Sequence, residues 1–179
     1  MLTGINHWTF PENMPAAQAM TLAARIGYQS FEVCVGENGP VPLDISESEA
    51  VALRREADKL NLDLRTVGTG LGWQYPFTSP DPVLRAKGVE ATIRVLQIAK
   101  WLGANAILVV PGIVSPEISY DLAIENALNA IEEITPIAEK TGVTLGIENV
   151  WNKFLLSPVE MRDFIDQCES ERVGAYIDT

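Results

Sequence analysis

The chain has 179 residues, a net charge of −11 from 24 acidic and 13 basic side chains, and 47% hydrophobic residues. Phosphate backbones and anionic lipid surfaces are held by clustered Lys and Arg, so this balance argues against nucleic acid or a membrane as partner; it suits a small neutral substrate or a metal cation. The length fits a single domain over residues 1–179 with its own core, and Cys34 and Cys168 lack metal-site spacing and read as free thiols. No signal-peptide pattern or membrane-length apolar run is visible, so a cytoplasmic location is expected.

In chain order, Leu2 to Trp8 reads as a first strand and Ala16 to Arg25 as a helix ended by Gly27. Ser30 to Val35 is a second strand. Glu47 to Leu60 is a helix with Ser46 as N-cap and Glu49 at the capping-box position. Asp63 to Val67 is a third strand, followed by a Gly-rich loop, Gly68 to Thr78, that carries Trp73 and Tyr75 and is long enough to act as a lid. Pro82 to Leu102 is a long helix capped by Ser79 or Asp81, and Ala106 to Val110 is a fourth strand. Tyr120 to Lys140 is helical but carries Pro136, which should kink or split it. Thr144 to Glu148 is a fifth strand. Pro158 to Cys168 is a helix with Ser157 as N-cap, and Val173 to Asp178 is a sixth strand.

Gly27, Gly103 and Gly142 each stand between a helix end and a strand, where a left-handed cap is needed. Apolar strands alternating with helices imply a parallel sheet covered on both faces. No phosphate-binding Gly fingerprint follows the first strand, where Trp8, Thr9, Phe10 and Pro11 stand, so a dinucleotide-binding sheet is unsupported. A barrel instead predicts polar residues at the C-terminal strand ends, and those ends carry His7, Glu32, Thr69, Glu148 with Asn149, and Asp178. The fold class expected is therefore α/β, a (β/α) TIM barrel that is incomplete, with strands one to six of an eight-stranded whole and its last two βα units lacking.

Glu148 and Asp178 end adjacent strands and can converge on one ion. Two hard oxygen ligands suit Mn²⁺ or Mg²⁺ more than Zn²⁺. A plainer alternative pairs Glu148 with Lys153 and makes Asp178 a helix cap. His7, Trp8, Glu32 and Trp73 are candidates for lining a substrate pocket at that end of the barrel. Trp101, on a helix, reads as packing material.

The run Ile147-Glu148-Asn149-Val150-Trp151-Asn152-Lys153-Phe154 and the later Tyr176-Ile177-Asp178-Thr179 resemble the xylose isomerase-like superfamily of sugar isomerases and epimerases. The resemblance implies that Glu148 and Asp178 are metal ligands, with Co²⁺ also possible, and that Glu148 is an acid–base catalyst acting through an enediolate. It also implies a small carbohydrate substrate, with homo-oligomerisation possible. The ketose 3-epimerase segment Asn-Arg-Phe-Glu would map to Asn152-Lys153-Phe154-Leu155 as a substrate contact, but Leu155 and Lys153 depart from it. The family's further His and Glu ligands have no counterpart, so the chain alone is expected to be inactive. A sugar or inosose dehydratase and a non-catalytic barrel subunit are the alternatives. The multi-zinc endonucleases of the superfamily need several His, and this chain has one.

Overall fold

The structure, a computed structural model, describes residues 2–178. Its strands are β1 (Gly4–Asn6), β2 (Ser30–Gly36), β3 (Val41–Pro42), β4 (Thr66–Thr69), β5 (Ala106–Val109), β6 (Thr144–Glu148) and β7 (Val173–Tyr176). The helices are α1 (Ala16–Ile26), α2 (Glu47–Lys59), α3 (Leu71–Gln74), α4 (Pro82–Leu102), α5 (Tyr120–Thr141) and α6 (Pro158–Gln167). All strand pairs are parallel, in the order β1-β2-β4-β5-β6-β7, with the two-residue β3 added beside β2. The six long-range strands are those expected, and the sheet stays open, with no β1–β7 pair among the described residues.

The sheet is curled. On a flat sheet β2 and β7 would lie about 19 Å apart, three strands being between them at the usual spacing. Yet the Tyr176 hydroxyl on β7 donates a hydrogen bond to the Glu32 carboxylate on β2. Two side chains can meet across that separation only if the strands bend round a common interior. The structure is thus an incomplete (β/α) barrel.

The two strand faces differ chemically. Phe31, Val33, Val67, Ile107, Leu145 and Ile147 are buried and pack outward with the helical residues Ala19, Met20, Leu96, Ile98, Ile131 and Ile134 in one core. The interior face carries Asn6, Glu32, Cys34, Gly68, Gly146, Glu148 and Tyr176. The period of two is plain in β2, Ser-Phe-Glu-Val-Cys-Val-Gly. Reading the strands as continuously apolar missed this alternation. A Cβ on Gly68 would lie 3.2 Å from the Glu32 carboxylate, and one on Gly146 2.9 Å from the Tyr176 ring. Both glycines therefore make room for interior polar groups.

Helix ends follow the local chemistry. Ser46 and Glu49 form the reciprocal capping box of α2, Asp81 rather than Ser79 caps α4, and Ser157 caps α6. Gly27, Gly103 and Gly142 adopt the left-handed C-cap conformation, with φ of 106°, 71° and 76°. Pro136 does not split α5, which runs unbroken through it. The carbonyl that Pro136 leaves without its helical donor belongs to Glu132. Both residues lie on the exposed face, where water can serve that carbonyl, while Ile131, Ile134 and Ala138 hold the other face in the core.

Strand ends differ from expectation where side chains intervene. The first strand stops at Asn6, because its side chain accepts from the Trp8 N–H at 2.6 Å and starts a 3₁₀ turn over His7–Thr9. The third begins at Thr66, Asp63 making only an isolated bridge to Ser30. The sixth ends at Tyr176. Among the described residues no helix is long and apolar enough to cross a membrane.

Candidate active site

Glu148 ends β6 in register with Tyr176 of β7. Its carboxyl is pushed up to about 7, first by burial and then by the negative charges of Asp178 and Glu32. Glu148, Asp178 and Glu32 therefore share one electrostatic neighbourhood. None of them takes part in the ion pairs found among the described residues. The alternative pairing of Glu148 with Lys153 does not form among the described residues; Lys153 is exposed, with a left-handed backbone, φ 61°.

Asp178 is exposed, and its backbone is held by one side chain. The Asn149 amide donates to the Asp178 carbonyl at 2.8 Å and accepts from the Asp178 N–H at 3.0 Å. A side-chain amide thus copies a strand pairing one residue past the end of the β6–β7 ladder, and it sets where Asp178 stands beside Glu148.

Glu32 is held from two sides. Asn6 donates to one of its oxygens and Tyr176 to the other, and the Cys34 thiol donates to the Asn6 side-chain oxygen Oδ1 at 3.2 Å. Burial, then the charge of Glu32, pushes the Cys34 thiol up to about 12, so it stays neutral. Burial and the bond to Glu32 likewise raise the Tyr176 phenol. Asn6, Cys34, Tyr176 and Asn149 were not singled out as functional from the sequence. A signal was present for three of them: Cys34 follows Glu32, and Tyr176 precedes Asp178, at the two-residue spacing of one strand face, and Asn149 adjoins Glu148.

His7 is buried, its Nε2 facing the Met14 carbonyl at 3.1 Å. That acceptor fixes the ring as the tautomer with its proton on Nε2. Burial lowers the imidazole below its ordinary value, against the opposing pull of the Met14 bond. The ring packs on Phe31 and Phe10, with centroids 5.4 Å and 6.3 Å away. Its Nδ1 is buried and meets no hydrogen-bond partner. His7, Trp8 and Cys34 line a cavity of about 450 Å³ at the ends of β1, β2 and β4.

The remaining candidates separate. Trp73 stacks on Trp151, centroids 4.8 Å apart at 30°, and Trp151 is otherwise open to solvent, 86% exposed. The loop carrying Trp73 is tied at Phe77 N–H to Pro111 (2.9 Å) and through the Thr78 hydroxyl to Ile113 (2.7 and 3.0 Å), and part of it forms α3. Those bonds fix the C-terminal end of the loop to the loop after β5. Asn152 is buried, with its amide donating to Gly112 (2.7 Å) and accepting from Phe154 (3.2 Å). It braces the loop after β6 against the loop after β5 and is not brought to the acidic cluster. Trp101 packs under the Arg94 guanidinium at 4.8 Å, as a helix-packing residue.

Parallel strands curled round a polar interior, with acids gathered at their C-terminal ends, define the class as a (β/α) barrel with a site at its mouth. The family model for the xylose isomerase-like TIM barrel matches residues 20–179, and the chain belongs to that family. Among solved structures it is similar to D-psicose 3-epimerase from Clostridium cellulolyticum H10, at 20% identity and TM-score 0.84, over 99% of this chain and 63% of that one. It is also similar to 3-keto-D-glucoside 4-epimerase from E. coli, at 16% identity and TM-score 0.77, over 98% of this chain and 66% of that one. An L-ribulose 3-epimerase matches at 21% identity and TM-score 0.80, over 99% and 60%. The chain thus spans less than two thirds of these proteins' length. No curated protein sequence matches it.

Proposed function

We propose that this chain is part of a divalent-metal-dependent isomerase or epimerase of a small, sugar-like hydroxy-carbonyl compound, acting by proton transfer through an enediolate. The observation that supports it most is Glu148 at a barrel mouth, beside two further carboxylates and brought to about 7. Family membership and neighbours named as sugar epimerases support the substrate class.

The donor chemistry fits a hard cation in part. Glu148 and Asp178 offer carboxylate oxygens on adjacent strand ends, and among the described residues neither forms an ion pair with a cationic side chain. Mn²⁺ or Mg²⁺ matches such ligands, with Zn²⁺ or Co²⁺ as further candidates. Among the described residues no three His, Cys, Asp or Glu side chains can hold one ion together, so these two would supply only part of its coordination. When bound, the cation would polarise the substrate carbonyl as a Lewis acid.

Glu148 would remove the proton from the carbon next to that carbonyl. A base with a pKa near the working pH is populated in its ionised form and still takes a proton readily. In the metal-free chain burial and the charges of Asp178 and Glu32 raise Glu148 to about 7, and a bound cation would favour the ionised form that takes the proton. Asn149 would keep Asp178 beside it, and Glu32, clamped by Asn6 and Tyr176, would keep the interior wall acidic and fixed. Titration calorimetry of Mn²⁺ into the chain tests this reading. Micromolar binding that disappears in Glu148→Gln is expected, and binding indifferent to Glu148 would overturn it.

A further inference from the structure

Glu32 stands apart from the other two carboxylates, because both its oxygens are engaged. The Asn6 Oδ1 accepts from the Trp8 N–H at 2.6 Å and from the Cys34 thiol at 3.2 Å. Those two donors fix which way the amide faces, so its NH₂ is left to donate to Glu32. The Tyr176 hydroxyl donates to the second Glu32 oxygen from the far side of the interior. Turning Glu32 toward an ion would break both bonds, and among the described residues no three such side chains converge on one metal position. Glu32 therefore has the environment of an anchor. What it anchors is the strand that leads to Asp178. β7 is four residues long and pairs only with β6 among the described residues. Of its residues only Val173 is buried, and the outward Ala175 is exposed, so packing holds this strand weakly. The Tyr176 ring lies over Gly146, where a Cβ would meet it at 2.9 Å. Gly146 precedes Glu148, and Tyr176 precedes Asp178, by two residues on one strand face. One side chain thus floors both carboxylates, and its hydroxyl ties that floor to β2 and, through Asn6, to β1.

We propose that Tyr176 and Glu32 form a strut across the open barrel and are positioning residues, holding Glu148 and Asp178 in place relative to each other. The inference rests on the isomerase reading for what those two carboxylates do, and on the bonds themselves for how they are held. Placement and charge can be separated at this strut. Tyr176→Phe removes the hydroxyl and leaves the Glu32 charge where it is, so its effect on cation binding reports lost placement.

Tyr176→Phe is therefore the test, read by amide exchange of the metal-free chain, by Mn²⁺ calorimetry and by the EPR spectrum of bound Mn²⁺. Exchange along β7 and at Asp178 is expected to quicken about tenfold, while β4 and β5 keep their protection. Mn²⁺ affinity should fall about tenfold, as for other residues that orient ligands, with a changed EPR line shape at saturation. In a Glu32→Ala background the same substitution should change affinity by less than about twofold, because the hydroxyl has already lost its partner. Should Glu32→Ala not fold, the single variant decides by local exchange and affinity together. β7 exchange unmoved by Tyr176→Phe, Mn²⁺ affinity unmoved in a chain that binds Mn²⁺, or an equal loss of affinity with and without Glu32 overturns the strut and leaves the metal reading standing. No Mn²⁺ bound by the wild-type chain, with β7 exchange still quickened by Tyr176→Phe, would overturn the metal reading and leave the strut standing.

Discussion

Glu148 carries the clearest consequence for a single residue. Its folded value of about 7 lies above its ordinary 4.5, so the folded chain holds this proton more tightly than the unfolded chain. The stability this contributes is full below about pH 4.5 and is lost as pH rises through about 7. The metal-free chain should therefore melt at a lower temperature at pH 8 than at pH 5, and Glu148→Gln should flatten that part of the profile in a thermal scan. Mn²⁺ should flatten it as well, because a cation offsets the charges that oppose ionisation. Asn149→Ala removes both bonds that place Asp178. Residues that orient ligands typically affect metal affinity by about 10- to 100-fold. A loss of that size by calorimetry, with little change in melting temperature, is expected.

Two elements show how local chemistry and packing divide the work. In α5, Pro136 stands on the solvent face of an otherwise regular helix. Pro136→Ala restores a helical hydrogen bond and should stabilise the chain by about 1–3 kcal/mol, read in a urea titration. In β6 the small residue is needed for space. A Cβ at Gly146 would lie 2.9 Å from the Tyr176 ring and 3.1 Å from the Ile107 carbonyl. Gly146→Ala should cost about 1–3 kcal/mol and loosen the Tyr176 bond to Glu32, detectable as a shift in tyrosine absorbance. The unbroken run of α5 through Pro136 and the tight fit around Gly146 share one cause. What surrounds a residue is a property of packing, which a linear pattern of types does not record.

Across the whole molecule, stability should grade from the centre of the sheet to its sides. β4 and β5 have strand neighbours on both sides and buried residues facing the helices, whereas β1 and β7 are each paired on one side among the described residues. Amide exchange should be slowest in β4 and β5 and faster in β1 and β7. Equal protection across the sheet would show that the flanking strands are secured by something beyond these contacts.

Much of this protein was legible in its residues. The strand–helix alternation, the N-caps Ser46 and Ser157 and the glycine stops at Gly27, Gly103 and Gly142 are local effects, set by neighbours a few positions away. They place Glu148 and Asp178 at the ends of adjacent strands, and the run from Ile147 onward carries the family likeness. The curl of the sheet belongs to the tertiary structure, and everything that depends on it follows. It brings Tyr176 to Glu32 across the interior, closes Asn6 and Cys34 on the same carboxylate, and turns Asn152 into a buried brace. It also leaves His7 Nδ1 facing no donor. Local rules act through the chain and can be read along it, but a carboxylate's partners and its pKa depend on which distant residues the fold sets within a few ångströms of it.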